Sequence, residues 1–120
     1  MKRLVIDLDD TLCHTVEGDY RNAQPADEVV QKLREYRAMG FEIVLYTSRN
    51  MRTHAGNIGK INALTLPTIV EWLDRHAVPY DEIHVGKPWC GHDGFYVDDK
   101  AVRPREFLAM SYDQIRELIG

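Results

Sequence analysis

Leu4-Val5-Ile6-Asp7-Leu8-Asp9-Asp10-Thr11-Leu12 is an apolar run that breaks into carboxylates. Leu4, Val5 and Ile6 are β-rich and show no polar alternation, the pattern of a strand covered on both faces. Side chains alternate along a strand, so Asp7 and Asp9 project to one side while Leu8 turns into the core. A carboxylate pair at the carboxyl end of a parallel strand stands where open α/β sheets place their ligands. Two like charges this close need compensation, which a hard divalent cation with oxygen ligands supplies. A lone Asp-Asp is commonly a solvated acidic turn. Three Asp and a Thr between positions 7 and 11, after a buried strand, favour chemistry instead.

Composition sets the frame. At 120 residues and 44% hydrophobic, the chain is expected to be one domain, 1–120, with a single core. A net charge of −4 argues against non-specific nucleic-acid binding. Asp7, Asp9 and Asp10 interrupt any signal-peptide core, and no apolar run reaches membrane-spanning length. Two cysteines, Cys13 and Cys90, are too few for a disulfide scaffold, so the expected compartment is the reducing cytoplasm.

Further along, Cys13 to Gln24 reads as a polar loop with Gly18 and Asp19 as turn residues. Val29, Val30, Leu33, Tyr36 and Met39 recur at helical spacing from Pro25 to Met39, and Gly40 is the stop. Phe41 to Tyr46 is a second strand that lands on Thr47-Ser48-Arg49, where hydroxyls and amides can hold phosphate oxygens. Asn50 to Asn62 has no sustained apolar period and reads as a long loop. With Arg49 it gathers Arg52, His54 and Lys60, a cationic set suited to an anionic substrate. Thr65-Leu66-Pro67 opens a helix with Thr65 as cap. Glu82 to Val85 is a third strand leading to Gly86-Lys87-Pro88, and Phe95-Tyr96-Val97 a fourth leading to Asp98-Asp99. Ser111 to Gln114 is a capping box for a last helix with Ile115, Leu118 and Ile119 inward.

Asp7-Leu8-Asp9-Asp10-Thr11 resembles the first motif of the haloacid dehalogenase superfamily, Asp-x-Asp-x-Thr, although many members carry Gly where this chain has Asp10. Thr47, Lys87 and Asp98-Asp99 match the second, third and fourth motifs in order. The resemblance implies an α/β fold, a Rossmann-like parallel sheet with flanking helices, without the large cap domain that Cys13 to Gln24 is too short to build. It implies Asp7 as nucleophile, Asp9 as general acid and base, and Thr47, Ser48 and Lys87 as phosphate ligands. A Mg2+ ion is expected on Asp7, the backbone carbonyl of Asp9, and Asp98, with Asp99 ligating or orienting. The Asn50 to Asn62, Gly86 to Gly91 and Gly94 to Lys100 stretches are also similar to small phosphatases of bacterial capsular polysaccharide synthesis. The expected activity is hydrolysis of a small phosphate ester such as a sugar phosphate. Nucleotide or nucleic-acid ends are the alternative substrates, and a second subunit is one route to selectivity. A receiver-like phospho-acceptor module is the competing class, but it needs an Asp where Thr47-Ser48 stands.

Overall fold

Parallel strands require a crossover, and α1 (Asp27–Ala38) provides it between β1 (Lys2–Ile6) and β4 (Phe41–Tyr46) in this computed structural model, which describes residues 1–120. The pair runs in register from Lys2↔Phe41 to Ile6↔Leu45. A second crossover, through α2 (Ile58–Leu64) and α3 (Leu66–Arg75), brings β5 (Glu82–His84) parallel to the other side of β4. The sheet order is β1-β4-β5. Ile43, Val44 and Leu45 are all buried, so the central strand is covered on both faces. This is a Rossmann-like α/β arrangement, and it belongs to the first of two compact units, Met1–Trp89 and Cys90–Gly120.

In α1, Val29, Val30, Leu33 and Tyr36 are buried and the helix packs on β4. Asp27 and Glu28 in its first turn and Arg37 in its last match the helix dipole. Met39 lies outside the expected stripe: it is the C-cap and is exposed, and Gly40 follows at φ 95°. Pro25 is also lost from the helix, because β3 (Gln24–Pro25) pairs antiparallel with β2 (Cys13–His14).

These two short strands close a flap over residues 13–25. Its return limb is tied down. The Trp72 indole N–H donates to the Ala23 carbonyl at 2.8 Å, Ala26 N–H donates to Leu12 O at 2.8 Å, and the Arg75 guanidinium donates to Arg21 O. Trp72 is therefore buried in the core while its indole N–H holds the flap.

Asn50 to Asn62 is not one long loop. Residues 50–56 turn, and then the Asn57 side chain accepts from Lys60 N–H and caps α2. With Ile61 the one buried residue in seven, so short a helix shows no apolar period. Thr65 makes no capping bond, since its own φ/ψ is helical and α2 runs almost directly into α3. No helix is long and apolar enough to cross a membrane.

The Cys90–Gly120 unit contains α4 (Pro104–Ala109) and α5 (Tyr112–Ile119). The Ser111/Gln114 capping box forms as the sequence indicates, and Ile115 is buried, but Leu118 is exposed. The expected strand at Phe95-Tyr96-Val97 is absent: these residues are exposed and belong to no strand. Apolar β-formers become a strand only when a neighbour accepts their backbone bonds, and the chain's sheet ends at β1.

Gly86 sets the turn that follows β5. Its φ is +86°, and a Cβ there would stand 2.5 Å from Ile58 Cδ1. Gly86→Ala is expected to lower stability by about 1–2 kcal/mol, read as a lower urea midpoint. An unchanged midpoint would show that the turn tolerates a side chain.

Candidate active site

Asp7 follows the last residue of β1, Thr47 the last of β4, and Lys87 stands three residues past β5. Lys87 N–H donates to Thr47 O at 3.1 Å, so the third segment is stitched to the second. Lys87 Nζ lies 3.7 Å from Asp7 Oδ1, an ion pair too long for a hydrogen bond. Thr11 Oγ1 donates to the other Asp7 oxygen at 3.3 Å. Burial pushes the Asp7 carboxyl above the usual aspartate range; Lys87 and the Leu8 amide pull it down, and Asp9 adds to the rise. Burial dominates, so the nucleophile candidate is a carboxylate short of positive charge.

Asp9 is held differently. Arg49 Nε donates to Oδ2 at 3.1 Å and Nη2 to Oδ1 at 2.8 Å, a two-pronged clamp. Thr15 Oγ1 also donates to Oδ1, at 3.3 Å. The Arg49 side chain is only 2% exposed, and its Nη1 has no hydrogen-bond partner. The Tyr20 ring, 4.2 Å from the guanidinium carbon, compensates it through its π face. Arg49, expected to bind substrate, holds Asp9 and also lines the adjoining cleft. Cys13 lies beneath, its Sγ 3.7 Å from Asp9 Oδ1, and burial with the nearby Asp9 charge pushes its thiol to about 11.

Thr47 is buried, and its hydroxyl oxygen accepts Arg49 N–H at 3.1 Å. A hydroxyl that accepts keeps its proton to donate. Asp10 takes φ 62°, the left-handed conformation that Gly adopts freely, so the turn geometry survives the substitution.

Beside these groups lies a cleft of about 370 Å3 lined by Asp9, Tyr20, Ser48, Arg49, Arg52 and Trp89, among others. Arg52 stands 5.8 Å from the centre of the Trp89 ring. His54 and Lys60 do not line the cleft; Lys60 is exposed on α2. Sequence reading missed Tyr20, Thr15 and Trp89, whose single aromatic or hydroxyl side chains in loops carry no periodic signal.

The comparisons with known proteins fit this arrangement. A crystal structure of a target protein from Vibrio cholerae matches with 61% identity and TM-score 0.97, covering 99% of this chain and 97% of that one. This chain belongs to that protein's family. A Pnkp1/Rnl/Hen1 complex contains a chain with TM-score 0.55 at 19% identity, over 91% of this chain and 34% of its own length. A Pnkp1/Rnl/Hen1 RNA repair complex gives TM-score 0.53 at 18% identity, over 89% and 31%. The chain spans about a third of these last two, and they share its fold. No family profile and no curated protein matches the sequence.

Hard oxygen donors are the right chemistry for magnesium, and Asp7 and Asp9 carry them just past the end of β1. Nowhere in the chain do three or more His, Cys, Asp or Glu stand as a metal-holding group. Arg49 engages both Asp9 oxygens, and Asp98 and Asp99 are exposed residues of the Cys90–Gly120 unit.

The state of Asp7 sets a stability test. An acid whose folded pKa is raised contributes stability as the neutral form below its ordinary range and loses it as pH rises through the folded value. Ionised Asp7 thus weakens the native state at neutral pH. Asp7→Asn should raise Tm at pH 7 in metal-free buffer, and the gap should close in acid. A Tm below wild type at pH 7 would contradict the charge imbalance.

Proposed function

We propose that the protein is a capless phosphatase of the haloacid dehalogenase type. The observation that carries this reading is Asp7 at the sheet's carboxyl edge, with Lys87 3.7 Å away and the Asp9–Arg49 clamp alongside. Lys87 Nζ stands close enough to Asp7 to reach an oxygen of a phosphoryl group that Asp7 attacks. Asp7 attacks phosphorus, forming an aspartyl-phosphate as the ester bond to the alcohol breaks. Asp9 gives its proton to the leaving oxygen and then takes one from water. That water attacks the same phosphorus and frees Asp7 and inorganic phosphate. Lys87 and the Thr47 hydroxyl hold the equatorial oxygens, where charge stabilisation carries most of phosphoryl transfer. Arg49 fixes the rotamer of Asp9, so its proton moves along a set line.

The substrate class follows from the cleft and from resemblance. A sugar phosphate of bacterial capsule or polysaccharide synthesis is the first reading. A nucleotide or nucleic-acid 3′ or 5′ end is the second, favoured by Tyr20 and Trp89, whose rings offer stacking surfaces.

The experiment is a panel of hexose phosphates, nucleoside phosphates and a small aryl phosphate, with magnesium and with excess chelator, read as free phosphate. Hydrolysis with magnesium is expected, abolished by chelator and reduced by at least about a thousandfold in Asp7→Asn. Near wild-type turnover in Asp7→Asn would remove the nucleophile assignment, and full activity in chelator the metal dependence.

Arg52 and Lys87 separate selection from chemistry. Arg52→Ala is expected to lower kcat/KM for the preferred substrate about tenfold or more, and for the aryl phosphate little, because Arg52 reaches only what extends past the phosphate. Lys87→Ala should depress both alike. Equal losses for Arg52→Ala on the two substrates would take Arg52 out of recognition.

A further inference from the structure

Arg49 carries a buried charge whose hydrogen bonding is lopsided. Nε and Nη2 donate to Asp9, while Nη1 is buried without an acceptor. A guanidinium presents its N–H donors in a rigid planar fork, so a buried edge without an acceptor costs free energy that the surroundings must offset. Over this cation lies the ring of Tyr20, its centre 4.2 Å from Cζ. The negative π face of a ring attracts a cation, most strongly where water is excluded.

Tyr20 is fixed in its turn. It lies in the flap between β2 and β3, where its N–H donates to Gly18 O at 3.0 Å and its carbonyl accepts Ala23 N–H at 3.3 Å. The neighbouring Asp19 carboxylate accepts the Asn22 backbone N–H at 3.3 Å and its side-chain amide at 3.0 Å. Ala23 is itself held by the indole of Trp72. A chain of contacts thus runs from the buried Trp72 through Ala23, Tyr20 and Arg49 to the carboxyl group of Asp9.

We infer that Tyr20 is a positioning residue for the proton donor, acting through Arg49. The inference rests on the phosphatase reading, in which Asp9 gives its proton to the ester oxygen. The O–H bond forms as the P–O bond to the alcohol breaks, and the transfer needs Asp9 within hydrogen-bond reach and in line. Arg49 sets that line only while its own plane is held, and the Tyr20 ring is the surface that holds it. An aliphatic side chain at position 20 would fill the space but give the cation no π face. Arg49 would then turn Nη1 toward another acceptor and move Asp9 with it. Small displacements of this kind are expensive in catalysis. Because Arg49 takes one face of the ring, Tyr20 has only the other to offer a substrate in the cleft it lines.

The test uses the full chain with magnesium and reads kcat/KM, which covers the steps up to departure of the alcohol. The probes are a hexose phosphate, a nucleoside phosphate and nitrophenyl phosphate. Sugar alcohols need a proton to leave, whereas nitrophenolate leaves as the anion. Tyr20→Leu should lower kcat/KM about ten- to a hundredfold on the two sugar esters and less than about threefold on the aryl ester. Retained aryl turnover shows that the fold is intact. Tyr20→Phe, which keeps the ring, should recover most of the loss. In an Arg49→Leu background, Tyr20→Leu should bring little further loss, because the two residues act as one unit. Equal losses on all three esters, additive losses in the double variant, or a loss confined to the nucleoside phosphate overturns the inference; the last outcome would make the ring a stacking surface. A second arm needs no turnover: Tyr20→Leu should lower Tm more in the wild type than in Arg49→Leu, and equal shifts overturn the ring–cation coupling. A wild type that hydrolyses none of the three esters but shows that coupling removes the phosphatase reading, and the positioning role with it, and leaves the Tyr20–Arg49 contact standing.

Discussion

The parallel registers of β1 with β4, and of β4 with β5, are the constraint on which the candidate site depends. They end three chain segments at one edge, so Asp7, Thr47 and Lys87 converge without any long-range loop to place them. A one-residue slip in either ladder would turn each strand's side chains to the opposite face. Burial of Ile43, Val44 and Leu45 on both faces of the middle strand opposes such slippage. The core thus fixes the position of polar groups that contribute little to it.

Charge is then distributed unevenly around that edge. Asp9 receives a guanidinium fork and a hydroxyl, whereas Asp7 receives a distant ammonium, one hydroxyl and the Leu8 amide. A clamped carboxylate keeps its direction, which suits proton transfer. An under-compensated one keeps its reactivity and attracts cations, which suits attack on phosphorus beside a metal. Two neighbouring residues of one type acquire different characters from their surroundings alone.

Much of this was legible in the sequence because the strands are apolar runs and the helices carry periodic faces. Asp7, Asp9, Thr47, Ser48 and Lys87 could be placed at strand ends without coordinates. The Arg49 clamp on Asp9 was not legible, since a cation after Thr47-Ser48 looks the same whether it faces substrate or Asp9. α2 was hidden because one buried residue, Ile61, makes no period. Phe95-Tyr96-Val97 has the composition of a strand, but composition does not say whether an edge is within reach. Tyr20 and Trp89 needed coordinates, because only spatial proximity makes loop aromatics into walls.

The flap over residues 13–25 is anchored by Trp72, Arg75 and the Ala26–Leu12 bond, and it has no glycine at either anchor. Its return limb is thereby held to the core. Catalysts with closing lids often spend their cycle waiting for the lid to lift before product leaves. On the phosphatase reading proposed above, a rim anchored in this way adds no such interval, and turnover is governed by bond-making at Asp7 or by the plain diffusion of phosphate. On the same reading, substrates with long tails enter without being enclosed.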